Sequence, residues 1–282
     1  MREALDLLDP DDPSIRPIAG GTALMLMMKS GLFRPKRLVC LNSLGEDFTR
    51  IDLSPSGELR IGAMVRLSDL ERALRRCQAF PVITAALRTH SNPRVRNVAT
   101  VGGNLAHADP HMDLPPVLMA LGAQVDVVGP GGQRSLAIDD LLAGYYETAL
   151  AGNELITALT IPAQPNRPAM YVKCTTRAAD DWPALGIAVS LEVHEMTITM
   201  ANVVVSAATE KATRLVTTER LLAGRAIEPS LPHEAGRTAA EEAPIVADER
   251  GSASYKRQLL DVYLRRVLVA LLELPPSVGA VS

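Results

Sequence analysis

The sequence predicts an α+β protein of three subdomains, and three observations carry that prediction. Apolar periodicity alternates helix and strand at the start, mixes them through the middle, and then runs strands ahead of helices. Two polar, Pro/Gly-bearing stretches, DLSPSG at 52–57 and PAQPNRP at 162–168, interrupt the pattern where boundaries belong. The 282 residues exceed one small domain, and a 47% apolar share against 22% charged furnishes a sizeable core. The expected subdomains are residues 1–53, 54–165 and 166–282.

The first subdomain opens on a short helix carrying Ala4, Leu5, Leu7 and Leu8. Residues 14–18 read as a strand that leads into Ala19-Gly20-Gly21-Thr22. Residues 23–29 (ALMLMMK) are good helix formers with Gly31 as the stop, and 37–41 (RLVCL) form a second strand.

In the second subdomain, 59–63 is strand-like, 68–76 is a helix with Ser68 as N-cap, and 81–89 is another helix. Residues 97–113, NVATVGGNLAHADPHMD, bring a second glycine pair, an amide, two histidines and two carboxylates together. A helix at 115–121 follows, with proline in its first turn and Gly122 past its end. Residues 124–128, the turn GPGG and 134–138 make a β-hairpin, and 155–161 is a strand stopped by Pro162.

The third subdomain reads as strands at 170–175, 185–193, 197–201 and 203–207, then helices at 213–222 and 233–242. A final helix at 254–272 places Leu259, Leu260, Tyr263, Val267, Leu268 and Leu271 at helical spacing.

Composition removes several function classes. Aromatics are 3% of the chain, too few for a base-stacking platform, and the net charge is −3 with no long basic run. Nucleic acid and anionic membranes are therefore not expected partners. Cys40, Cys77 and Cys174 lack CxxC spacing, so neither a disulfide framework nor a zinc or iron–sulfur site is expected here. No signal pattern or long apolar run appears, and the expected compartment is the cytoplasm.

Gly20 and Gly21 allow a sharp turn, and the helix beginning near Ala23 directs its positive end at the same spot, which suits a phosphate. The bland alternative is a plain tight turn. Gly102 and Gly103 repeat the feature, followed by Asn104, and two such loops converging would suit a diphosphate. The spacing His107-x-Asp109-x-His111-x-Asp113 invites a metal reading and thus a metal-dependent hydrolase, but Pro110, Pro115 and Pro116 oppose the continuous strand that would align them. No metal ligand and no catalytic residue is assigned. The stretch from Lys173 through Arg177, Asp180 and Asp181 to Trp182, the only tryptophan, combines cations, acids and an aromatic at a possible ligand rim; core packing is its bland alternative.

The segments AGGT (19–22) with GLFRPKRLVCL, RNVATVGGNLAHADPHMDLPPVL (96–118), GPGGQRSLAIDDLLAGYYETAL (129–150), ELITALTIP (154–162) and ADERGSASYKRQLLDVYLRRVL (247–268) occur in the order found in one family. The chain resembles the FAD-binding medium subunit of molybdenum hydroxylases, the carbon monoxide dehydrogenase medium chain and xanthine dehydrogenase FAD-domain family. The resemblance implies a two-subdomain FAD-binding fold of the PCMH (vanillyl-alcohol oxidase-like) type plus a C-terminal domain of antiparallel sheet and helices.

It further implies that Ala19, Gly20, Gly21 and Thr22, with the backbone of Ala23, and Thr100, Gly102 and Gly103 hold the FAD diphosphate. Asn104, Ala108 and Asp113 would line the cofactor. Leu155 or Ile156 would lie near the ring system, Lys173 would place a cation beside it, and Trp182 would be an adjacent aromatic. The resemblance also implies a strand-bearing segment ahead of Arg2, so either this start is internal to the natural frame or the first strand is missing, and a longer 192–199 stretch than this sequence has. The implied activity is electron transfer from [2Fe–2S] clusters of a small subunit, through FAD here, to an external acceptor. The substrate would be hydroxylated at a molybdenum–pterin cofactor in a large subunit, the whole forming a dimer of heterotrimers. A stand-alone FAD-dependent oxidoreductase of the same fold is the alternative.

Overall fold

The computed structural model describes residues 1–165 and 167–273; the expected boundary at 166 and the tail 274–282 lie outside the described residues. Two compact units emerge: Met1–Asp109 with Gly122–Ala163, and Pro110–Leu121 with the chain from Gln164 onward.

The chain begins with α1 (Arg2–Asp6), β1 (Ile15–Ile18), α2 (Thr22–Lys29) and β2 (Arg37–Cys40). Strands β1 and β2 pair in parallel, from Ile15 opposite Arg37 to Ile18 opposite Cys40, so α2 is the crossover of a small βαβ unit. Next come β3 (Ile51–Leu53), β4 (Leu59–Gly62), α3 (Leu67–Cys77), α4 (Pro81–His90), α5 (Pro93–Arg96) and α6 (Val101–His107). Helix α7 (Leu114–Ala120) belongs to the second unit. The chain returns to the first with β5 (Gln124–Gly129), β6 (Gly132–Ala137), α8 (Ile138–Leu141), β7 (Leu142–Gly144), β8 (Glu147–Thr148) and β9 (Leu155–Ile161).

Strands β3, β4, β9, β5 and β6 form, in that spatial order, an antiparallel sheet. In β5, Val125 and Val127 are fully buried while Asp126 between them binds Arg60 and Ser135 outside, the alternation of a sheet with one wet face. Helix α3 buries Leu67, Leu70 and Leu74 on one stripe. Ser68 does not cap it, contrary to expectation: Arg66 is extended, bridges Thr100, and the Leu67 N–H donates to Ala99 O at 2.9 Å. A long-range backbone bond thus takes the place of a local cap.

The second unit continues with β10 (Ala169–Cys174), β11 (Leu185–His194), β12 (Thr197–Ser206), β13 (Thr213–Arg214), α9 (Val216–Leu222), α10 (Leu231–Glu242) and α11 (Ala253–Leu271). Its four strands are antiparallel in sequence order. Leu185, Ile187, Val189 and Leu191 of β11 join Leu260, Leu264, Val267 and Leu268 of α11 in one aliphatic core. Two expected strands at 197–201 and 203–207 are one strand, because Asn202 is satisfied in place: its Nδ2 donates to Ala120 O at 2.7 Å. The helix expected from 213 starts at Val216, since Thr213 and Arg214 pair with β12. Among the described residues no helix is long and apolar enough to cross a membrane.

Candidate functional site

The first glycine pair sits where β1 hands over to α2. The Ile18 carbonyl accepts from Leu41 N at 2.9 Å, which fixes the end of the strand. Gly21 adopts a left-handed conformation (φ 69°) and caps α2, with its carbonyl accepting from Met25 N at 2.9 Å. No side chain caps this helix, and the N–H groups of Thr22, Ala23 and Leu24 find no hydrogen-bond partner among the described residues. Three open donors at a helix N-terminus, where the dipole favours negative charge, form an anion-ready surface.

Gly20 plays a different part. A Cβ on it would lie 2.2 Å from Val98 O and 2.9 Å from Ala99 Cα, so only glycine lets the two glycine-bearing segments touch. A Cβ built on Gly103 falls 3.9 Å from Ala19 Cβ, so the two segments meet at a second point.

The second glycine pair is not a turn. Thr100 is the N-cap of α6, its hydroxyl accepting from Gly103 N at 3.1 Å, and Gly102 and Gly103 lie in the first helical turn. The donors here are already occupied: Val101 N donates to Val65 O at 2.9 Å, Gly102 N to Ala63 O at 2.8 Å and Asn104 N to Thr100 O at 2.9 Å. A Cβ on Gly102 would come within 2.7 Å of Ala63 Cβ, so this glycine serves close packing of α6 on the end of β4. Gly103 is exposed.

Asn104 is buried with its Nδ2 3.1 Å from His90 Nε2, while its Oδ1 has no partner. A buried carbonyl oxygen without a donor is costly, and a ligand hydroxyl or N–H would satisfy it. Ala108 ends α6 in the left-handed region (φ 51°), a position where glycine is the usual residue. Leu155 packs with Ala4, Leu8, Val39 and Leu41 in a small core, and the buried Ile156 pairs with Val127 in the sheet.

In the second unit, Asp113 is buried and bonded twice: Lys173 Nζ lies 3.0 Å from Oδ2, and Tyr171 donates its hydroxyl to Oδ1 at 2.5 Å. Tyr171 and Lys173 are two apart on β10, hence on one face of the strand. Burial first, then the Asp113 charge, holds the Tyr171 phenol well above its ordinary pKa, so it stays a donor. The sequence reading missed Tyr171, although its alternation with Lys173 was a usable signal. Trp182 is 39% exposed and stacks on His111, 5.2 Å between centroids at 11°.

The four residues of the metal-like spacing go separate ways. His107 meets the Tyr146 ring edge-on at 5.1 Å, His111 lies 3.7 Å from Asp248, Asp109 is buried, and Asp113 is held by Lys173 and Tyr171. Among the described residues no group of three or more His, Cys, Asp or Glu side chains could hold a metal ion.

Comparison with known proteins decides the family. A model described as "FAD binding domain in molybdopterin dehydrogenase" matches residues 1–164, and one described as "CO dehydrogenase flavoprotein C-terminal domain" matches residues 170–271. The chain belongs to the FAD-binding medium-subunit family of molybdenum hydroxylases. It is 32% identical to the nicotine 6-hydroxylase medium subunit of Paenarthrobacter nicotinovorans, over 95% of this chain and 93% of that one. It is 30% identical to the carbon monoxide dehydrogenase medium chain of Afipia carboxidovorans, over 95% and 92%.

Solved structures show the same fold. Carbon monoxide dehydrogenase from Hydrogenophaga pseudoflava matches with a TM-score of 0.90 at 28% identity, covering 97% of this chain and 95% of that one. Quinoline 2-oxidoreductase from Pseudomonas putida 86 matches at 0.87 and 27% identity, covering 97% and 94%. This medium subunit is therefore an oxidoreductase component with the PCMH-type FAD fold and the family's C-terminal domain, as the motif order implied.

Proposed function

We propose that this medium subunit carries electrons within a heteromeric molybdenum hydroxylase. Electrons arrive from [2Fe–2S] clusters in a small subunit and leave to an external acceptor, while the substrate is hydroxylated at a molybdenum–pterin cofactor in a large subunit. The observation that carries the reading is the open N-terminus of α2, pressed through Gly20 against the segment that leads into α6, in a chain of the FAD-binding family.

The residues present fit FAD. The N–H groups of Thr22 and Ala23 would bind the diphosphate, with Ala19, Gly20 and Gly21 shaping the approach. Thr100, Gly102 and Gly103 would form the floor beneath it, a packing role in keeping with their occupied donors. Asn104 Oδ1 would accept from a hydroxyl or N–H of the cofactor, and Ala108, Leu155 and Ile156 would contribute apolar lining.

Asp113, Lys173 and Trp182 are the proposed flavin-facing residues of the second unit. Lys173 is paired with Asp113, so its field is that of an ion pair rather than a lone cation. Bound FAD supplies a store for two electrons. Support for partner subunits comes from the relatives, which are medium chains of multi-subunit enzymes, and from cysteines too few and too scattered to hold the clusters.

The purified chain should be yellow, and tagged protein from its native host should bring down an iron–sulfur polypeptide and a molybdenum polypeptide. A colourless chain would sink the flavin assignment. A yellow chain that purifies alone and oxidises its own substrate would favour the stand-alone oxidoreductase.

A further inference from the structure

We propose that the ion pair between the buried Lys256 and the solvent-accessible Asp248 is a clamp that positions Trp182, acting through His111 and Arg250. The proposal rests on the reading of Trp182 as the aromatic beside the flavin. Lys256, on α11, is 1% exposed and heads the fully buried side chains by volume. A buried ammonium is expensive even when paired, and an aliphatic residue would pack the same space at lower cost. Its geometry shows what it holds.

Lys256 Nζ lies 2.8 Å from Asp248 Oδ2 and 3.5 Å from Ala207 O. Asp248 sits in the tight turn ahead of α11, where Arg250 N donates to its Oδ1 at 2.8 Å and its backbone bridges Gly251. The Oδ2 atom that takes Lys256 also lies 3.7 Å from His111 Nε2 and 4.0 Å from Arg250 Nη1. Both residues contact the indole: His111 stacks on it, and the Arg250 guanidinium carbon is 5.1 Å from its ring centroid. One carboxylate oxygen thus faces both contacts of Trp182, and Glu249 Oε1, 3.0 Å from Arg250 Nη1, helps to hold the guanidinium.

The loop that carries Trp182 offers little orientation of its own. Residues 176–180 are exposed, and the nearest local bonds are Trp182 N to Asp181 Oδ1 at 2.8 Å and Asp181 N to Ala178 O at 3.1 Å. The indole, 39% exposed, owes its orientation to the clamp. Asp248, Lys256, His111 and Arg250 are positioning residues, and Trp182 is the group that meets the ligand.

Trp182 is the only tryptophan, so its emission reports on the clamp without labelling. The test compares FAD-loaded wild type with Asp248→Leu/Lys256→Met, which removes both charges together and leaves no unpaired ammonium in the core, and with Arg250→Gln, which leaves the Asp248–Lys256 pair intact. Both should stay folded by circular dichroism. Trp182 anisotropy should fall, and acrylamide quenching should rise about threefold to fivefold in the double variant, the shift expected from losing contacts of cation–π size. Arg250→Gln should move both readouts the same way by less. Unchanged anisotropy and quenching in the folded double variant would overturn the clamp. Removal of FAD from wild type should brighten Trp182; emission indifferent to flavin would instead overturn its place beside the ring and leave the clamp standing.

Discussion

Gly20→Ala tests the meeting of the two glycine segments with the smallest possible change. The added Cβ would sit 2.2 Å from Val98 O, 2.8 Å from Val98 C and 2.9 Å from Ala99 Cα, all backbone atoms with no rotamer to yield. Ordinary contact requires a separation of about 3.5 Å, so the segments must part by roughly 1 Å. Overpacking of this kind costs about 1–3 kcal/mol, and a rigid obstacle puts the change at the upper end.

For a chain of 282 residues that corresponds to a Tm lower by about 3–5 °C. The larger effect falls on the cofactor, because the open end of α2 moves away from its floor. Two measurements on purified protein suffice: the Tm by circular dichroism, and flavin per chain from absorbance. Gly21→Ala is the control, since its Cβ meets side-chain atoms, the nearest being Ile18 Cδ1 at 3.1 Å, but it must hold φ near 69°, a strain of about 1–2 kcal/mol. Full flavin content together with a Tm within a degree of wild type in Gly20→Ala would refute the close approach as the basis of the site.

Three further outcomes follow from the same structure. Lys173→Met should cost about 3–5 kcal/mol in urea unfolding, because it removes the cation paired with the Asp113 carboxylate, which is 1% exposed; Lys173→Met/Asp113→Asn should recover part of that, and a single-variant loss below about 1 kcal/mol would contradict the buried pair. Burial pushes the Cys174 thiol up to about 12 against the opposing charge of Arg266, so native protein at pH 8 should be alkylated by iodoacetamide at the exposed Cys40 and Cys77 and not at Cys174, as read by peptide mass spectrometry. Burial, outweighing the Asp109 charge, lowers the His107 pKa below 6.5; the unfolded chain then binds more protons between the two values, so stability should fall as pH drops below 6.5, and a melting series in His107→Gln should lose that part of the slope.

Local chemistry made much of this fold readable. Strand β9 was expected at 155–161 and occupies those residues, because Leu155, Leu159 and Ile161 are apolar, the run is β-branched, and Pro162 ends it. Helix α11 was expected at 254–272 and spans Ala253–Leu271, as its apolar stripe and the Ser252 cap dictate. The first glycine pair was legible too, since a strand, two glycines and a run of helix formers leave few conformations for the junction.

What stayed hidden lies in pairings that no local pattern encodes. Gly102 and Gly103 read as a turn because glycine usually breaks helices; here Thr100 caps the turn, and contact with Ala63 demands that Gly102 carry no side chain, a requirement set by a residue about forty positions earlier. The same holds for the charges. Asp113 finds Lys173 sixty residues on, and Asp248 gathers Lys256, Arg250 and the distant His111, so a histidine and an aspartate that looked like half of a metal site each face a different partner. Spacing along the chain set out candidates for one site; only folding separated the open backbone donors of α2, which are free to meet an anion, from the α6 donors already spent on the chain's own carbonyls.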